Sequence, residues 1–167
     1  MALTATATLS IRMTAQQSND ATFGEDGVGR IDEVAGPTFT SGTGASNINL
    51  IYSAARTIAQ GANETLNVHN ASLTNAIGNT VAMDVLKAIY VKNTSTALTL
   101  SVGGGTTPVL FLSTGAETIN VPPGGELFIS APNAAGWDTV TQVNLKFAAS
   151  AGSGSLTYNL ALYGVDS

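Results

Sequence analysis

The sequence predicts an all-β protein, a jelly-roll-like β-sandwich preceded by an N-terminal strand and an extended arm. Short stretches alternate apolar with polar residues, which is the period of a strand with one buried face. Gly, Pro or Asn separate nearly all of these stretches. Many short strands at this spacing are typical of a sandwich or barrel. We assign residues 1–46 to the strand and arm, and residues 47–167 to the sandwich.

The first strand is predicted from an unbroken alternation in "ALTATATLSIRM". Its apolar side consists of Leu3, Ala5, Ala7, Leu9, Ile11 and Met13. Residues 14–46 then show no period and are rich in Gly, Ser and Thr. A connection of that length without secondary structure is unusual inside a compact domain. We therefore interpret it as an arm or as a loop ordered by a partner, and we hypothesise that the N-terminal strand pairs with a neighbouring subunit.

Eight strong strand signals follow from Asn47 onward and lead to the jelly-roll prediction. The segment "DVLKAIYVKN" is apolar on both faces, as a central strand is, and the shorter run "VLFL" is also read as a strand. "SLTNAIGN" is the one helical candidate, a single turn ending at Gly78. The other segments with strand character are "NINLIYS", "ETLNVHN", "ALTLSV", "ETINV", "ELFIS", "VTQVNLKFAA" and "SLTYNLALYG".

The stretch "NVPPGGELFISAP" contains a tight reversal at Pro122-Pro123-Gly124-Gly125. Proline presets φ near −65°, and glycine accepts the positive φ that such a turn needs. Pro132 removes a backbone donor and ends the next strand. We therefore predict that "ETINV" and "ELFIS" form a hairpin.

Composition favours a protein that packs against other protein copies. Charged residues make up 10% of the 167 residues, against roughly 25% in ordinary soluble domains, and the net charge is −5. A polar but weakly charged surface is poor at keeping molecules apart. The six Lys and Arg residues are scattered, so we expect no nucleic-acid binding. No apolar run approaches a membrane span, the N-terminus does not resemble a signal peptide, and cysteine is absent.

Residue types suited to catalysis occur without a recognisable arrangement. His69 is the single histidine, lies on the polar side of its segment, and has no G-x-S-x-G nucleophile motif to serve. The carboxylates show no spacing that selects an acid–base pair. We predict no catalytic residues, no metal, no cofactor and no enzymatic activity. The acidic segment "EDGVGRIDE", Glu25 to Glu33, leaves calcium binding open, although a solvated loop is the favoured reading.

Trp137 in "PNAAGWDT" suits either a sugar-stacking or interface role or an anchor tucked into the sandwich edge, and we favour the anchor. A carbohydrate-binding module for adsorption is therefore one alternative function.

Residues 86–164 resemble small β-rich virion proteins of tailed bacteriophages. The resemblance lies in the order of "LKAIYVKNTST", "LSVGGG", "INVPPGGELFISAPNAAGW" and "LTYNLALYG". It implies a capsid decoration or cement protein that is made in the host cytoplasm, binds the major capsid protein on the capsid surface of the virion, and forms a homotrimer. A tail, neck or head-fibre component is the alternative within the virion. The residues we predict at subunit interfaces are Leu3, Leu9, Ile11, Met13, Phe23, Phe39 and Trp137.

Overall fold

The computed structural model describes residues 7–8, 10–18, 28–75, 77–113 and 115–166, with the backbone alone in the parts of 11–34 that it covers. These residues form strands and contain no helix, which confirms the all-β prediction. The strands are β1 (Ala7–Thr8), β2 (Ile11–Ser18), β3 (Val28–Ala35), β4 (Thr38–Ser41), β5 (Asn47–Ile48), β6 (Leu50–Ala59), β7 (Asn63–Asn67), β8 (Leu73–Thr74), β9 (Thr80–Val81), β10 (Val85–Asn93), β11 (Leu100–Gly103), β12 (Thr118–Val121), β13 (Glu126–Ser130), β14 (Trp137–Asp138), β15 (Asn144–Ala149) and β16 (Ser155–Val165).

Two antiparallel sheets form the sandwich. One sheet has the order β13-β10-β16-β6, with β14 also paired to β10, and the other has the order β12-β11-β15-β7. Their facing side chains make one core, in which the rings of Phe147 and Tyr158 stack with centroids 5.0 Å apart. The core forms because each strand directs alternate side chains inward.

The predicted jelly roll remains our interpretation, and the connectivity is compatible with it. Along the eight strands β6, β7, β10, β11, β12, β13, β15 and β16, the chain changes sheet at every step except from β11 to β12. Repeated crossing between two four-stranded sheets is what interleaved Greek keys produce.

The longest strands follow the predicted periodicities. In β16 the predicted inward residues Leu156, Tyr158, Leu160 and Leu162 are all buried. The strand β10 lies between β16 and β13, and burial on both faces matches its doubly apolar sequence. The alternation in these segments therefore predicted both the strands and the side chains that face the core.

A small third layer covers part of the outer face of the β10-containing sheet. It consists of β1, β4 and β5, with β1 antiparallel and β5 parallel to β4. Phe39 of β4 packs with Ile48 and Ala88 in a second buried cluster, flanked by the partly buried Tyr163. The N-terminal region thus contributes packing to the body of its own chain.

The prediction that residues 14–46 lack secondary structure is wrong. β2 and β3 pair antiparallel through eight residues, from Ile11 opposite Ala35 to Ser18 opposite Val28. Ala7 and Thr8 pair with Phe39 and Thr38. This pairing was hard to predict because Gly, Asp and Glu are common in "VGRIDEVA" and weaken its strand signal. Residues 1–6, 9 and 19–27 lie outside the described residues.

The predicted hairpin around Pro122–Gly125 is also wrong, although the turn itself is present. The Gly125 N–H donates to Pro122 O at 2.9 Å, and Gly124 has φ +73°, as expected for Gly at the third position of a type II turn. The strands on either side belong to different sheets, because β12 pairs with β11 while β13 pairs with β10. The turn therefore connects the two layers of the sandwich.

Two further segments differ from prediction. "VLFL" forms a loop in which Val109 is buried and its N–H donates to Asn144 O at 2.9 Å. A run of four apolar residues is too short for periodicity to define its structure. "SLTNAIGN" forms a tight connection between the paired strands β8 and β9. There the Asn75 side chain accepts from the N–H groups of Ile77 and Asn79, and asparagine commonly stabilises turns in this way.

Candidate functional site

The structure describes only some of the predicted interface residues. Leu3, Leu9 and Phe23 lie outside the described residues. Ile11 and Met13 belong to β2, where the described backbone pairs with β3 of the same chain. Their role at a subunit interface stays a prediction.

Phe39 has an intramolecular role that differs from the predicted one. Its side chain is 1% exposed and packs against Ile48 and Ala88. A ring buried to this extent has no surface left to contact another subunit. The sequence did not predict this role, because Phe39 lies in a Gly- and Thr-rich segment without a clear period.

Trp137 fits the anchor interpretation. It lies in β14 opposite Leu86, and its ring meets Phe111 edge-on with centroids 6.3 Å apart. It is partly buried against the main core. These contacts hold the loop before β14 to the sandwich and leave only part of the indole ring accessible.

Three exposed apolar side chains lie in loops at one end of the sandwich, and sequence analysis did not identify them. Among the described residues, the large apolar side chains that are exposed are Ile77 (69%), Val140 (50%) and Leu110 (40%). All three lie in connections between strands. The signal available in the sequence was an apolar residue inside a turn-like segment, as in "NAIGN" and "WDTVT".

Backbone hydrogen bonds place the chain segments next to these connections at the same end of the sandwich. The N–H of Val68 donates to Val143 O at 2.9 Å, and the N–H of Met83 donates to Val68 O at 2.8 Å. Val109 donates to Asn144 O on the other side of β15. We call the surface formed by loops 75–79, 104–117 and 139–143 the apolar end.

His69 has a partner that the sequence did not predict. Its Nδ1 lies 3.1 Å from Asp84 Oδ1 and 3.3 Å from Met83 O, and both side chains are partly exposed. Across the described part of the chain, no three His, Asp or Glu side chains come close enough to hold a metal ion. The acidic segment from Glu25 to Glu33 lies outside the described side chains, so calcium binding there stays an open hypothesis.

Lys87 is a buried cation near the apolar end. Its Nζ donates to the backbone oxygens of Asn133 at 2.5 Å and Ala134 at 2.6 Å, and burial lowers the pKa of the ammonium group. The same loop presses onto β10, since a Cβ on Gly136 would lie 2.4 Å from Val85 Cγ1. Lys87 therefore fixes the loop that leads to Trp137 by donating to its carbonyl groups.

A polar cluster joins the two sheets near their opposite end. The Arg56 Nε and Nη2 donate to Glu64 Oε2 at 2.9 and 2.6 Å, and its Nη1 donates to the Tyr52 hydroxyl at 2.9 Å. The buried Tyr158 hydroxyl donates to Glu64 Oε1 at 2.7 Å. Burial and then the Glu64 carboxylate raise the pKa of Tyr158, and the hydrogen bond to Glu64 raises the pKa of Arg56. The cluster ties β6 and β16 to β7.

Comparisons with known proteins identify no family. No family model and no curated protein matches the sequence. A solved chain of Bacillus endospore appendages, described as "a novel family of disulfide-linked pili", is similar over 70% of this chain and 89% of that chain, with 16% identity and a TM-score of 0.34. No conclusion follows from a likeness this weak. Within the described residues, none of the secondary structure is a helix that would traverse a bilayer.

Proposed function

We propose that this chain is a structural virion protein of a tailed bacteriophage, a capsid decoration or cement protein without enzymatic activity. It binds between major capsid proteins on the capsid surface and stabilises the head. The virion assignment and the trimeric state rest on the resemblance of residues 86–164 to small virion proteins.

The apolar end is the feature that supports a docking role. Ile77, Leu110 and Val140 expose large apolar side chains from loops at one end of the sandwich. A single exposed apolar residue is ordinary, and we infer that these three, all at one end of the sandwich, act together as an interaction site. Charged residues make up only 10% of the sequence, which limits the desolvation of ions when a surface of this protein is buried against another.

The major capsid protein is the partner we assign to the apolar end. A decoration protein placed at the joints between capsid subunits gains contacts with more than one of them. A standard specific interface buries about 1,600 Å² in total. Repetition of such contacts over the shell would stabilise the head without any catalytic step.

The alternatives receive less support from the described side chains. A sugar-stacking role needs an accessible aromatic face, whereas Trp137 packs on Phe111 and against the core. A tail, neck or head-fibre location is compatible with the same docking surface. The copy number per particle distinguishes it, because hundreds of copies fit a cement protein and a dozen or fewer fit the neck.

The test is binding of the purified protein to empty shells of the major capsid protein. We expect the wild type to saturate the shells and to raise their melting temperature. The double variant Ile77→Ser and Val140→Ser is expected to bind at least about tenfold more weakly, since it removes two apolar anchors. Ala151→Ser, an exposed substitution at the opposite end of the sandwich, is the matched control.

Equal binding of the double variant and Ala151→Ser would exclude the apolar end as the docking surface. Absence of the protein from capsid shells, with labelling confined to the tail or neck in electron micrographs, would refute the cement role. Loss of binding to a glycan array on Trp137→Ala would favour the carbohydrate-binding alternative.

A further inference from the structure

The four edge strands of the sandwich differ in length. β12 has four residues, and β7 and β13 have five each, whereas β6 has ten. Short edges limit the number of unpaired backbone groups that another chain can contact. β6 is thus the one long edge of the described sandwich.

Half of the backbone groups of β6 face away from its partner strand. The register with β16 runs without a shift from Ala59 opposite Ser155 to Leu50 opposite Gly164. Just past Ala59, the Gln60 N–H donates to Gly154 O. Because the N–H and C=O groups of successive residues in a strand point to opposite sides, the even-numbered residues of β6 form the hydrogen bonds to β16. The N–H and C=O groups of Ser53, Ala55 and Thr57 therefore point to the free edge. No backbone hydrogen bond from another described residue reaches them.

β6 lacks the features with which proteins protect an exposed edge. It contains no Pro, Lys, Asp or Glu, and its ladder has no bulge. The outer face of its middle consists of the small exposed residues Ser53, Ala55 and Thr57. Arg56 is its single charge, and its guanidinium is turned inward onto Glu64. The one charge on β6 is therefore already paired when another strand arrives.

We propose that β6 is a self-association surface, at which β6 of a second copy pairs antiparallel about a two-fold axis near Ala55. Among the sandwich edges of another copy, only β6 has ten residues, and the strands β2 and β3 outside the sandwich have eight each. A two-fold contact lets the same strand serve on both sides. The pairing joins the β13-β10-β16-β6 sheets of the two copies into one continuous sheet through β6, and each Arg56 is already paired with its own Glu64.

This inference goes beyond the proposed capsid role, because it concerns the isolated protein. It also differs from the trimer that the resemblance implies. If the protein fails to bind shells, the capsid role is refuted and the β6 proposal is unaffected. If the protein is monomeric but still binds shells, only the β6 proposal is refuted.

The experiment is sedimentation equilibrium of the full chain over a concentration series up to about 1 mM. We expect the wild type to reach twice the chain mass of 16.9 kDa. Ala55→Lys places two ammonium groups next to the axis and should raise the dimer dissociation constant about tenfold or more, because like charges on opposed strands repel. Thr57→Lys is a second variant on the same exposed face in case the first fails to fold.

Asn159→Lys is the matched control, since Asn159 is exposed and lies directly opposite Ala55 on β16, one strand away from the edge. It should dimerise like the wild type. Hydrogen exchange adds a local readout, with the amides of Ser53, Ala55 and Thr57 protected only at dimer-forming concentrations. A monomeric wild type, a trimer, or equal dissociation constants for the two Lys variants at 55 and 159 would overturn the proposal.

Discussion

The two ends of the sandwich differ in the side chains that they bury and expose. At the end that contains the 122–125 turn, which we call the closed end, polar side chains are inside and are hydrogen-bonded. Asn93 is fully buried there, and its Nδ2 donates to Leu98 O at 2.8 Å and Val121 O at 2.9 Å. At the apolar end, Ile77, Leu110 and Val140 are exposed.

This difference separates the part of the molecule that maintains the fold from the part that is available to a partner. Asn93 also exchanges backbone hydrogen bonds with Gly124 and Gly125, so one residue holds the layer-crossing turn. Buried polar groups need such partners, since an unpaired one costs about 1–3 kcal/mol. Exposed apolar side chains impose no comparable constraint on the isolated fold, which leaves the apolar end free for docking.

The largest effect should come from the closed end, in Asn93→Ala. Removal of the amide leaves Leu98 O, Val121 O and the Ser95 N–H without their side-chain partner. We expect a loss of about 3 kcal/mol in the free energy of unfolding, measured by urea denaturation. The exposed control Asn159→Ala should change it by about 0.5 kcal/mol or less. Similar losses in both variants would show that the closed end does not depend on Asn93.

Lys87→Met tests a buried polar contact near the apolar end. Asn133 O and Ala134 O lose a charged donor, while the cost of burying the ammonium group also disappears. We expect a net loss of about 1–2 kcal/mol. The fluorescence of Trp137, the single tryptophan, should shift to the red as its loop loosens. The control Lys92→Met breaks an exposed, solvent-screened ion pair with Glu126 and should lower the free energy of unfolding much less than Lys87→Met does. A more stable Lys87→Met protein would contradict the fixing role of Lys87.

The smallest effect is expected in Tyr158→Phe, near the closed end. At neutral pH the lost hydrogen bond to Glu64 should cost about 1 kcal/mol. The pKa of Tyr158 is raised from 10.0 by folding, so the unfolded chain releases its phenol proton first as pH rises above 10. Stability is therefore lost above pH 10, and the variant should lose less.

Lys87 acts in the opposite direction in the same range, because folding lowers its pKa and its deprotonation favours the folded state. Lys87 is present in both wild type and Tyr158→Phe, so its contribution cancels when their free energies of unfolding are subtracted. Urea denaturation at pH 7 to 11 measures the difference, and parallel stability curves for the two proteins would contradict the assignment to Tyr158.

Local patterns determined much of the fold. The alternation in "SLTYNLALYG" predicted both β16 and its buried face, and the residues Pro122 to Gly125 predicted a turn that is present. These signals are local, because side-chain alternation and turn chemistry depend on a few neighbouring residues. Of the candidate sites, the sequence suggested an anchor at Trp137 but did not indicate the apolar end.

Only the tertiary structure decided which strands pair. It placed β12 and β13 in different sheets, buried Phe39 against Ala88, and left β6 as a long free edge. Each of these results depends on segments far apart in the chain, whose pairing reflects packing of the whole molecule more than the preference of any single strand. The sequence by itself determined where strands form and which side of each is apolar, whereas the surfaces left open for another chain emerged only when the sheets were assembled.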